Sequence, residues 1–66
     1  MNIIVNGLPR EFRPGLTVGQ LLDQDGYGGR RVAVEINGEI VPKSQHAEHA
    51  LASGDQVEVV QAIGGG

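Results

Sequence analysis

The residues best suited to chemistry in this chain have no side chains. Gly64-Gly65-Gly66 follow the apolar stretch Val60-Gln61-Ala62-Ile63, so the α-carboxylate of Gly66 is expected at the end of a bare backbone tether. Three extended residues reach at most about 10 Å, enough to pass a carboxylate through a slot that admits only main chain. Glycine also reaches backbone angles closed to other residues, so such a tether, residues 63–66, is flexible and adapts to more than one partner. The same composition describes a linker or a frayed end, and the tail alone does not separate the two readings.

Elsewhere the reactive residue types do not assemble. His46 and His49 stand at i and i+3 with Glu48 between them, but zinc needs a third converging ligand and none is evident, so both are expected as solvated residues of a short helix. Gly26, Gly28 and Gly29 lack the preceding strand and the following Lys-Ser or Lys-Thr of a phosphate-cradling loop; Lys43-Ser44 follows a proline instead. No Ser/His/acid arrangement has positional support. The absence of cysteine removes thiolate nucleophiles, thiolate metal sites and disulfides. The expectation is a protein that is not an enzyme and binds no metal or cofactor of its own.

Composition narrows the class further. A net charge of −3, with Arg30-Arg31 the one pair of adjacent cations, argues against a nucleic-acid binder. No apolar run approaches the roughly 18 residues of a membrane span, and the opening Met1-Asn2-Ile3-Ile4-Val5 lacks the basic and long apolar regions of a signal peptide. A cytoplasmic protein, monomeric when free, is the reading. Residues 1–66 form one domain, near the size where a core buries only about 60% of the unfolded surface.

The tether needs a scaffold, and the hydrophobic pattern supplies one. Residues 2–6 are strand-like and end at Asn6-Gly7, which offers the positive φ values of a tight hairpin turn; residues 10–13 are the returning strand, stopped by Pro14-Gly15. Thr17 opens a helix with Gln20 as its capping-box partner, and Val18, Leu21 and Leu22 make one apolar stripe. Gly19 weakens that helix by roughly 1 kcal/mol relative to alanine. Asp25-Gly26 ends it, and Tyr27-Gly28-Gly29 is a flexible connection. Val32, Val34 and Ile36 alternate with smaller or polar residues up to Asn37-Gly38, and residues 39–41 pair back before Pro42. Ser44 is expected to cap one or two helical turns reaching Leu51, and residues 56–62 form the last strand.

If the last strand runs parallel to the first, at the centre of a mixed sheet, Ile3, Val5, Val57 and Val59 face the helix. Ile4 and Val60 then lie on the opposite face, with Ala62 and Ile63 leading on to the glycines. An apolar patch beside a free carboxylate points to docking, so Ile4, Val60, Ala62 and Ile63 are candidate partner contacts.

This order, ββαββ, a short helix and a last strand before a Gly-Gly end, resembles the ubiquitin-like β-grasp fold, an α+β architecture with a mixed sheet of about five strands and one main helix. Within it the chain is most similar to the sulfur carriers of thiamine biosynthesis, the ThiS family. The residues that carry the resemblance are 2–7, Thr17-Val18 with Leu21-Leu22, the run 32–44, Gly54-Asp55, residues 57–60, Ala62 and Gly65-Gly66. Gly64 extends the usual glycine pair, and His46 stands where relatives often carry an aromatic ring.

The resemblance implies that Gly66 is the working group and that Gly64 and Gly65 thread it into partner active sites. A terminal carboxylate, with an ordinary pKa of about 3.5, is ionised at neutral pH and is a poor electrophile. The resemblance therefore implies an E1-like adenylyltransferase of the ThiF type that spends ATP to adenylate it. A sulfur-donor enzyme then displaces AMP, and the C-terminal thiocarboxylate delivers sulfur to a thiazole synthase of the ThiG type. Three alternatives stand beside this reading: a molybdopterin-type sulfur carrier, a ubiquitin-like modifier joined to lysines, and a non-catalytic β-grasp interaction module.

Overall fold

The computed structural model describes residues 1–61. Its elements are β1 (Asn2–Val5), β2 (Leu8–Glu11), α1 (Val18–Gln24), β3 (Val32–Ile36), β4 (Glu39–Val41), a single 3-10 turn (Lys43–Gln45) and β5 (Gln56–Gln61). They form a five-stranded sheet in the order β2-β1-β5-β3-β4. Both Asn-Gly pairs make hairpin turns, with φ of 50° and 83° at Asn6-Gly7 and 53° and 85° at Asn37-Gly38, the left-handed values that a two-residue turn matched to strand twist requires.

That turn geometry corrects one boundary. A two-residue loop places residue 8 directly opposite residue 5, so β2 begins at Leu8 and not at Arg10. Pro9 lies inside it, opposite Ile4, and is tolerated because β2 is an edge strand whose outer side lacks a ladder partner.

β5 enters between the two hairpins. It runs parallel to β1 through Ile4↔Gln56 and Val5↔Val57, and antiparallel to β3 from Val32↔Gln61 to Ile36↔Val57. Strand alternation then sends Ile3, Val5, Val34, Ile36, Val57 and Val59 to one face, where they are buried with Val18, Leu21 and Leu22 of α1 and with Leu16, Val41 and Leu51. Each such side chain contributes about 1.5–3 kcal/mol by leaving water.

The start of α1 is held by its neighbours as well as by its own sequence. Thr17 Oγ1 accepts from the Gln20 amide at 3.2 Å and Gln20 Oε1 accepts from the Thr17 amide at 3.0 Å, completing the capping box. Two more amides of the first turn find carbonyls on the 43–51 segment, Val18 N donating to His49 O at 2.9 Å and Gly19 N to His46 O at 2.7 Å. Gly19 is therefore a point of close approach: a Cβ there would stand 3.2 Å from His46 O and 3.3 Å from Ala47 Cα. The packing that offsets its poor helix propensity is this main-chain contact.

At the other end of α1, the Arg10 guanidinium of β2 bonds both carboxylate oxygens of the helix-capping Asp25, at 2.6 and 3.0 Å, and lies 4.8 Å from the Phe12 ring centroid. The hydrogen bond to Asp25 raises the Arg10 pKa above its ordinary value. A cation at a helix C-terminus also complements the helix dipole.

Two connections differ from expectation. Pro42 precedes the 3-10 turn, which has no side-chain cap, so Ser44 does not open a helix. The turn goes no further because Ala50 is drawn into a bridge with Thr17, and Leu51 N bonds Leu16 O at 2.8 Å. The 26–30 loop is fastened by Tyr27 N to Leu22 O and Arg30 N to Tyr27 O, at 2.8 and 2.9 Å, with the Tyr27 ring packed on the core.

Each hairpin-turn asparagine also grips β5. Asn6 Oδ1 accepts from Val59 N at 2.8 Å, and Asn37 Oδ1 accepts from Gln56 N at 2.9 Å while its amide group donates to Asp55 Oδ1 at 3.0 Å. Replacing Asn6→Gly keeps a residue at home with positive φ and removes only the acceptor. It is expected to cost about 1 kcal/mol, measured by urea denaturation, whereas Gly7→Ala tests the turn alone.

Candidate functional site

The candidate site is built from its root outward. β5 delivers the chain to Gln61, opposite Val32 at the start of β3. β1 accompanies β5 only as far as Val57; beyond it the Asn6 side chain, reaching Val59 N, takes the place of a strand. The root of the tail is thus held on one side by a full ladder to β3 and on the other by a single side chain. Ala62, Ile63, Gly64, Gly65 and Gly66, with the expected docking, threading and attachment roles and the flexible tail 63–66, lie outside the described residues.

On the face turned away from α1, the outward residues of β5 are Gln56, Glu58 and Val60, all exposed. Val60 is 54% exposed and Ile4 37%, both on this face. They are not adjacent, however. Ile4 sits beside Gln56, and Val60 lies four residues further along β5, about 13 Å at the strand repeat, with Glu58 between. The direct neighbour of Val60 is Ala33 of β3. A parallel pairing only two residues long cannot bring the middle of β1 level with the end of β5. Ile40, 62% exposed, belongs to the same face of β4, since its partner Glu35 faces outward.

Glu35 and Glu58 are themselves directly opposed across β3 and β5. Like charges so placed oppose strand pairing, so this acidic centre does nothing for the sheet. The sequence reading passed over it because the register of two distant strands cannot be counted from spacing within either one. The grip of Asn6 on Val59 was missed for a similar reason: Asn-Gly announces a turn and says nothing of where the asparagine oxygen goes.

His46 is a correction. It is 8% exposed, not a solvated helix residue, and its Nε2 lies 3.0 Å from Val41 O. A carbonyl oxygen only accepts, so Nε2 carries the hydrogen and donates. His49 acts through its backbone, its carbonyl accepting from Val18 N. Among the described residues no three His, Cys, Asp or Glu side chains group as a metal site would require, and no helix is long and apolar enough to cross a membrane.

Comparison with known proteins matches residues 3–66 to the family model described as the ThiS family. The chain belongs to the ThiS family. Over its whole length this ThiS-family chain is 38% identical to the sulfur carrier protein ThiS of Escherichia coli K12, and the match covers all of that protein. It is 48% identical to a thiazole synthase of Paramagnetospirillum magneticum, of which it spans only 20%. A second thiazole synthase, from Magnetococcus marinus, is 39% identical and is likewise spanned over 20%. Among solved structures, the thiamine biosynthesis protein ThiS from Geobacter metallireducens superimposes with a TM-score of 0.84 at 33% identity, each chain covered completely. The mixed sheet crossed by one helix is therefore the β-grasp fold of the ThiS family.

For this ThiS-family chain, His46→Ala empties a buried site and strips Val41 O of its side-chain donor. A loss of about 2 kcal/mol or more is expected, read as a lower urea midpoint with an unchanged slope.

Proposed function

We propose that this chain is a sulfur carrier of thiamine biosynthesis, a cosubstrate and not a catalyst, whose working group is the C-terminal carboxylate of Gly66. The observation that carries the reading is the end-to-end match to the E. coli sulfur carrier protein, glycine end included. The carboxylate is adenylated at the expense of ATP by an E1-like adenylyltransferase of the ThiF type. A sulfur donor displaces AMP, the C–O bond of the acyl adenylate giving way to a C–S bond, and the resulting thiocarboxylate serves a thiazole synthase of the ThiG type. Supporting that last partner, carrier-like sequence occurs within proteins named thiazole synthase.

The described residues suit this role in what they position. β5, at the centre of the sheet, is held in register against β3 up to Gln61, and Gly64 and Gly65 are proposed to thread partner active sites. Val60, with Ala33 beside it, offers an apolar contact near the end of β5, and Ala62 and Ile63, next in sequence, are proposed as further partner contacts. Ile4, further back on the same face, contributes a separate contact. The Glu35–Glu58 pair gives this face a negative centre, which favours a partner surface carrying positive charge. The work is placed in the cytoplasm, where ATP and reduced sulfur donors are at hand.

Deleting Gly66 is expected to abolish thiocarboxylate formation while leaving thermal unfolding within about 0.5 kcal/mol of the parent. The check is intact mass after incubation with adenylating enzyme, ATP and a sulfur source, where the parent gains the mass of one oxygen exchanged for sulfur. Charging of the truncated chain would refute the assignment. Val60→Asp is expected to weaken binding to the adenylating enzyme by about tenfold or more, measured by calorimetry, without loss of fold.

A further inference from the structure

A second candidate site lies on the helix side of the sheet, away from the exposed face of β5. A cleft of about 240 Å³ opens between α1, the 26–30 loop, the start of β3 and the 43–47 segment. At roughly 30 Å³ per water molecule, that is room for one small ring compound. Leu22, Tyr27 and Val32 give it apolar walls, and Arg30 and Lys43 stand at the cleft, both exposed.

Two features mark this cleft as more than a surface dent. The first is His46, which contributes to its lining and is 8% exposed. With Nε2 committed to Val41 O, Nδ1 has no hydrogen-bond partner among the described residues. Among the described residues no fully buried side-chain nitrogen or oxygen is left unbonded, so Nδ1 reaches solvent, and His46 belongs to the wall of this opening. Because Nε2 carries the hydrogen, Nδ1 of the neutral ring is an acceptor.

The second feature is charge. In a chain of net charge −3, two of the five cationic side chains gather here, and neither Arg30 nor Lys43 takes part in an ion pair among the described residues. Asp23 is the single acid of the lining; its Oδ1 lies against Gly28, 2.8 Å from where a Cβ would stand. The balance of the cleft stays positive.

We propose that this cleft binds a small, flat organic anion that carries a hydrogen-bond donor at its far end. The anionic group meets Arg30 and Lys43, the ring lies among Leu22, Tyr27 and Val32, and the donor reaches Nδ1 of His46. The chemistry at Gly66 plays no part in this binding, so the proposal stands or falls separately from the carrier reading.

The test is an amide NMR titration at low salt with 4-hydroxybenzoate, which has an acid, a ring and a donor in that order. Saturable shifts are expected at Gly19, Gly28 and Ala47, with Kd on the order of 1 mM. Benzoate, lacking the donor, and phenol, lacking the anion, are each expected to bind about tenfold more weakly. The double variant Arg30→Gln/Lys43→Gln, both positions exposed, is expected to bind 4-hydroxybenzoate no better than phenol. His46→Phe keeps a ring in place and is expected to erase the difference between 4-hydroxybenzoate and benzoate. Absence of saturable shifts in the folded parent, equal binding of benzoate, or unchanged affinity in the double variant would each overturn the proposal.

Discussion

The structure depends on one pairing, the insertion of β5 between β1 and β3. The two hairpins, β1–β2 and β3–β4, have their inner strands joined only through β5. Remove it and each is a two-stranded ribbon, marginal in water on its own. With it, six valine and isoleucine side chains from three strands meet α1 on one continuous face. The strand that carries the tail is thus also the strand that makes the sheet.

The two sides of β5 are held differently. Toward β3 the ladder takes in all of β3 and residues 57–61 of β5. Toward β1 it lasts two residues, after which Asn6 substitutes a side-chain oxygen for a strand. Asn37 does comparable work at the start of β5. The hairpin turns therefore do more than reverse the chain: each asparagine takes up an amide of the incoming strand. α1 is fixed with similar economy, its first amides shared between Thr17, His46 and His49 and its C-cap, Asp25, held by Arg10.

Most of the fold was legible in the sequence because its determinants are local. The Asn-Gly turns, the alternation at 32–36 and 56–61 and the Thr17/Gln20 capping box each declare themselves within a few residues. What was not legible depended on distant partners. Leu8 was passed over because Pro9 beside it reads as a strand breaker until β2 is known to be an edge. His46 was read as solvated because the carbonyl it needs, Val41 O, belongs to another element. Of the candidate site, the outward position of Val60 was legible from strand parity, while the glycine end lies outside the described residues. The separation of Ile4 from Val60 and the opposition of Glu35 to Glu58 follow from register, which pattern alone leaves open.

The central place of β5 also bears on how the protein is made. The strand that closes the sheet is translated after the other four, so a chain interrupted before it leaves two hairpins whose inner edges are unsatisfied and open to degradation or aggregation. Completion of the sheet and arrival of the tail on the ribosome are nearly the same event. A chain cut before β5 is therefore debris that the cell's proteases can recognise, whereas one cut after Gln61 keeps every strand of the sheet.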